Sequence, residues 1–189
     1  MLKLLIRRRI DRFARQYDYD TSYMSELLET SQRAFLRFAR VAGLSRHRES
    51  LPPAPWYAAK LAATLHEDCG PCTQLVVRMA AEDGVPPATL AAIVGGDESR
   101  MDEEVRLGWR FAQAVLAHDP AADGFREEIV RRWGDKAVVS LALGIAASRM
   151  FPTIKVAMGH GRACQRVRVG DRELVPASRH AAAQAGFAQ

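Results

Sequence analysis

The chain has 189 residues, 48% of them hydrophobic and 26% charged, and carries a net charge of +5. That balance excludes a disordered polypeptide, and the length suffices for one domain, or one domain with an appendage, around a sizeable core. Residues 1–50 hold 11 Lys and Arg against 6 Asp and Glu, while residues 51–189 hold 16 basic and 16 acidic residues, so the whole excess lies in the first quarter.

A basic segment of this kind reads as a solvated helix face or a subunit contact, because no Cys/His finger or RNP-type strand accompanies it. No nucleic-acid partner is expected. No segment approaches ~18 uninterrupted apolar residues, so no membrane insertion is expected either. Three cysteines are too few for a secreted disulfide framework, and residues 1–9 place their apolar run before their charges, unlike a signal peptide. A reducing cytoplasm is the expected setting.

In chain order, Leu2 to about Gln16 forms a basic amphipathic helix with Leu2, Leu5, Ile6, Ile10 and Phe13 near one face. Tyr17-Asp18-Tyr19-Asp20 reads as a connection, with Asp20 or Ser22 available to cap a second helix. That helix is expected to run unbroken through Met24, Leu27, Leu28, Ser31, Phe35, Phe38 and Ala42, closed by Gly43. Gly43 to Pro55 is a linker, and Pro55 suits the first turn of the alanine-rich helix Trp56–Leu65. Another helix follows His66-Glu67-Asp68-Cys69-Gly70-Pro71-Cys72 and runs to about Glu82, where Asp83-Gly84 stops it.

Short helices are expected after Pro86 and over Phe125–Trp133, with a longer one over Met101–His118. The helix Lys136–Met150 is apolar on nearly every side, which marks it as central or interfacial, and Phe151-Pro152 is expected to interrupt it. Val167-Arg168-Val169 before Gly170-Asp171 is the only strand signal and is too short for a sheet. The fold class is all-α.

The chemistry centres on Cys69 and Cys72. A C-x-x-C pair at a helix start can pass between dithiol and disulfide, and the free N–H groups and positive end of the helix favour thiolate. Gly70-Pro71 is also the thioredoxin dipeptide, but thioredoxin sets it among alternating strands and helices. A zinc site is the competing reading, with His160 and Cys164 completing a Cys3His set.

Several segments resemble the carboxymuconolactone decarboxylase-like, or alkylhydroperoxidase D-like, family. They are Glu67-Asp68-Cys69-Gly70-Pro71-Cys72, Ala80-Ala81-Glu82-Asp83-Gly84-Val85 leading into Leu90, Phe111-Ala112-Gln113-Ala114-Val115-Leu116, and Ile129–Gly134 with the apolar helix before Phe151. The resemblance implies an all-helical core over residues 51–161, preceded by a basic helical hairpin (1–50) and followed by an extension (162–189). It also implies a homo-oligomer, often a trimer or hexamer. The reaction it implies is reduction of a small-molecule peroxide, or disulfide exchange, with a dithiol electron donor and no bound cofactor.

By the same resemblance, Cys72 attacks peroxide and Cys69 resolves it. The family's peroxidases place a histidine four residues after the second cysteine and a glutamate about twelve before the first. Those positions here hold Val76 and Tyr57. The candidates for the missing relay are His66 as base or shuttle, its neighbour Glu67, and the Tyr57 hydroxyl with Lys60 one turn away. The alternative is a non-enzymatic or ligand-binding member that has lost the relay.

Overall fold

The computed structural model describes residues 1–161 and 166–177. The helices are α1 (Leu2–Tyr17), α2 (Ser22–Thr30), α3 (Gln32–Ala39), α4 (Val41–Arg46), α5 (Pro53–His66), α6 (Gly70–Glu82), α7 (Pro87–Gly95), α8 (Glu103–Ala117), α9 (Ala122–Trp133) and α10 (Asp135–Ala157), followed by β1 (Val167–Val169) and β2 (Arg172–Leu174). The protein is mostly helical.

Helix α5 is the axis of the main core. Prolines in its first turn need no intrahelical N–H partner, and every residue from Pro55 to Leu65 is buried. Its alanines let neighbours come close, so α8, α10 and α6 all pack directly on it. Two glycines permit that approach. A Cβ on Gly108 of α8 would lie 2.3 Å from the Pro55 carbonyl oxygen, and one on Gly144 of α10 would lie 3.1 Å from Trp56 Nε1. A second, smaller core joins Ile6, Ile10, Leu28 and Phe35, with Met24, Leu27 and Phe38 against it. Helices α1 to α3 thus cohere among themselves as well as covering the main body.

Three expectations need correction. The second helix is not continuous to Ala42, because Ser31 is extended (φ −155°, ψ 99°) and accepts a hydrogen bond from the Ala34 N–H, capping α3. A serine that satisfies a helix start competes with helix continuation, so the periodic stripe is carried by separate helices. Gly43 closes nothing; it lies inside α4. Pro152 does not end α10 either. An internal proline costs about 3 kcal/mol, and packing of the last turns offsets it: Phe151 stands edge-on to Phe38 at 5.6 Å, while Pro152 and Lys155 are buried.

By length and composition α10 is apolar enough to cross a membrane, yet it packs along α5, α4 and α9. The strand signal becomes a two-stranded antiparallel ribbon with Val169 opposite Arg172. Its inward Val167 and Val169 are buried, and the Gln74 side chain docks it to α6 by pairing with both backbone groups of Arg168 (2.6 and 3.0 Å).

Gly108→Ala is expected to cost about 1–3 kcal/mol, since the added methyl meets backbone that cannot move alone. Gly43→Ala, where nothing lies within 4 Å, is expected to be neutral or to stabilise by up to about 1 kcal/mol. Urea unfolding of the two variants reads the difference.

Candidate active site

The end of α5 and the start of α6 are one structure. Asp68 takes the left-handed conformation (φ 50°), a role aspartate fills with less strain than most residues. Its N–H bonds to the Leu65 carbonyl (3.1 Å), and the next N–H, of Cys69, reaches back to Thr64 (3.3 Å). This is the doubly bonded Schellman closure. Cys69 then caps α6: its carbonyl accepts from the Thr73 N–H (2.8 Å) and the Thr73 hydroxyl (3.1 Å). Cys72 therefore sits in the first turn of α6, where unpaired N–H groups and the positive helix end favour a thiolate.

Cys69 and Cys72 are joined as a disulfide with Cα atoms 5.2 Å apart. Cys69 is half-buried, whereas Cys72 is only 4% exposed. Behind Cys72 opens a cavity of about 660 Å³, walled on one side by α5 and α6 and on the other by α1 to α4. The Tyr19 hydroxyl points at the Cys72 sulfur from 3.9 Å. A disulfide sulfur has no proton, so the phenol is the donor.

Tyr19 is held there from α6. Arg78 grips the turn before it, bonding the Asp18 carbonyl and carboxylate at 3.1 Å each, and Tyr17 donates to Glu82 at 2.7 Å. Asp18 closes α1 in the left-handed conformation (φ 41°), which turns the chain inward at Tyr19. Burial pushes the Tyr19 phenol up to about 12, so it remains a neutral donor near neutral pH. Burial raises Tyr23 further. The two phenols lie closely enough to alter one another's ionisation. Among the described residues neither the Tyr23 nor the Ser148 hydroxyl makes a hydrogen bond within normal limits; both residues line the cavity.

Lys60 lies elsewhere on the same wall and is 3% exposed. Its ammonium bonds the Ser45 carbonyl at 2.8 Å and lies 4.0 Å from the Trp56 ring centroid and 5.3 Å from that of Tyr57. Desolvation pushes it down to about 7; the Asp83 charge opposes this, and Arg46 and Arg48 add to it. A lysine in this state exchanges a proton near neutrality.

Of the residues singled out in the sequence, Tyr57, Lys60, Cys72 and Val76 line this one cavity. The Tyr57 hydroxyl is occupied, donating to Asp83 at 2.9 Å. His66 and Glu67 lie outside the cavity wall, and Glu67 is paired with Arg149 of α10 at 2.6 Å. For the zinc reading, Cys164 lies outside the described residues, and His160 bonds Glu26 at 2.6 Å. Among the described residues no group of three or more His, Cys, Asp or Glu could hold a metal. Tyr19, Tyr23 and Ser148 were not legible as site residues. The one available signal was a pair of tyrosines in the connector after α1, too rich in aromatic surface for a solvated turn.

No protein-family model matches the chain, and neither does any curated protein or solved structure.

Two outcomes follow from this geometry. Lys60 binds its proton at about 7 in the fold but at about 10.4 when unfolded. The unfolded chain therefore holds more protons between those values, and stability rises with pH from about 7 upward. Urea midpoints measured from pH 6 to 9.5 are expected to climb, and Lys60→Met is expected to flatten the climb. Separately, Arg78→Ala releases the Asp18 turn and hence Tyr19. Alkylation of reduced Cys72, followed by mass spectrometry, is expected to quicken several-fold, while unfolding stability falls by no more than about 1 kcal/mol.

Proposed function

We propose that this protein is a cofactor-independent dithiol oxidoreductase of the alkylhydroperoxidase D-like kind, reducing organic peroxides through Cys72 and Cys69. The observation that carries the reading is the position of Cys72. It is the buried half of a C-x-x-C disulfide, in the first turn of a helix, on the wall of an apolar cavity and under a phenol donor. Tyr57 and Val76, at the positions where the family has its glutamate and histidine, line that same cavity.

In the reduced protein the Cys72 thiolate attacks the outer peroxide oxygen. The O–O bond breaks, a sulfenic acid forms on Cys72, and the departing alkoxide takes a proton to leave as the alcohol. Tyr19 is the nearest donor of that proton, and solvent returns one to it. The Cys69 thiol then displaces hydroxide from the sulfenic sulfur, releasing water and forming the disulfide. An external dithiol restores both thiols by exchange at the half-exposed Cys69, whose position suits access by a partner. Self-association is supported by α10, where Val139, Ala142, Ala146 and Met150 share one exposed apolar face. The cytoplasm, which keeps donor dithiols reduced, is the setting this chemistry needs.

A second reading has one observation in its favour: Val76 brings no proton to the relay position. On that reading the fold is a ligand-binding module with a structural disulfide.

Dithiol-dependent consumption of an alkyl hydroperoxide separates the two. Cys72→Ser is expected to abolish it, and Tyr19→Phe is expected to lower kcat by about 10²-fold with KM little changed. Consumption that persists in Cys72→Ser would sink the peroxidase reading.

A further inference from the structure

The cavity behind Cys72 has a polarity that peroxide reduction alone does not use. At about 660 Å³ it falls within the ~300–1,000 Å³ range of small-molecule sites. Its walls are dominated by aromatic and aliphatic side chains, among them Ile10, Phe13, Phe38 and Trp56. Its polar groups fall into two neighbourhoods, and in the first the buried Lys155 ammonium stands over the rings of Tyr19 (4.8 Å) and Tyr23 (5.4 Å). Tyr19 and Tyr23 respond to each other and to Asp20. Lys60, Tyr57 and Tyr17 respond to Arg46, Arg48, Glu82 and Asp83.

Arg9, Arg46 and Arg48 line the cavity against two carboxylates, Glu82 and Asp83, so cations are in excess even with Lys60 neutral. Glu82 and Asp83 are exposed and already accept from Tyr17 (2.7 Å) and Tyr57 (2.9 Å), and Arg48 is 3.9 Å from Asp83. Arg9, Arg46 and Lys60 also line the cavity, and among the described residues none of them pairs with a carboxylate. At the thiol end the buried hydroxyls of Tyr23 and Ser148 make no hydrogen bond within normal limits among the described residues. A buried polar group without a partner costs free energy until something fills the site.

We propose that the cavity binds an amphiphilic organic anion, with its carboxylate against Lys60 and Arg46, its hydrocarbon along the aromatic wall, and its polar far end at Tyr23, Ser148 and Cys72. This names the substrate class of the site proposed above and rests on that reading for chemistry, though binding itself needs no thiol. The anion restores the Lys60 ammonium, so binding above neutral pH takes up a proton, with Arg46, Arg48 and Asp83 as the other charges that face it.

The test is calorimetric titration of the full-length disulfide form with dodecanoate and with dodecanol, both below their aggregation limits. Dodecanoate is expected to bind at least tenfold more tightly than dodecanol. At pH 8, in buffers of differing ionisation enthalpy, it is expected to draw in close to one proton. Lys60→Met is expected to weaken dodecanoate at least tenfold and leave dodecanol unchanged, which also shows that the cavity is intact. Arg46→Ala, at the edge of the site, is expected to weaken dodecanoate alone. Equal affinity for the two probes, no binding of either, or a Lys60→Met variant that holds dodecanoate as well as the parent would overturn the proposal. No peroxide is present, so failure here leaves the thiol chemistry standing, and loss of peroxidase activity leaves this result standing.

Discussion

The candidate site depends on how α5 ends. Asp68 in the left-handed conformation lets two successive N–H groups turn back onto Leu65 and Thr64, and the second of these belongs to Cys69. The residue that closes one helix is thereby the cap of the next. With Cys69 fixed in both roles, Cys72 has no freedom left: it sits three residues on, inside the first turn of α6 and against the central helix. A looser connection would leave two cysteines near each other. This one sets which of them is buried and which half-exposed.

The N-terminal helices are what make the thiol's surroundings more than a helix start. They supply the roof of the cavity, and α6 itself holds that roof by two of its own residues, Arg78 and Glu82. The helix bearing the dithiol therefore also positions the phenol that faces it. The economy of charge is similar. Glu82 and Asp83, at the end of α6, accept from Tyr17 and Tyr57, and Asp83 also faces Arg48 at 3.9 Å.

Much of the architecture could be read in the sequence because local chemistry and tertiary packing agree. Prolines open α5, α6 and α7, Asp102 caps α8 through the Val105 N–H (2.9 Å), and Gly134 precedes α10. Reading failed where the two disagree. Ser31 sits in a stripe with helical period and still starts a new helix, because its hydroxyl satisfies the Ala34 N–H. Pro152 is a breaker by propensity and is overruled by the packing of Phe151 and Lys155. The site divides in the same way. Cys69, Cys72, Tyr57 and Lys60 share one stretch of chain and so are visible as a cluster. Tyr19, Tyr23 and Ser148 reach the cavity from α10 and from the chain just after α1, and no spacing rule connects them to Cys72.

That separation has a consequence for how the chain reaches its final form. The disulfide closes a loop of four residues, and the turn between α5 and α6 is equally local, so both can form at little cost in chain entropy. The Tyr19 contact instead spans 53 residues, and contacts of such long separation are the slow ones to establish. The dithiol is thus a local structure and its roof a long-range one: Cys72 is placed by its own helix start, whereas the cavity exists only where the first forty-six residues lie over it.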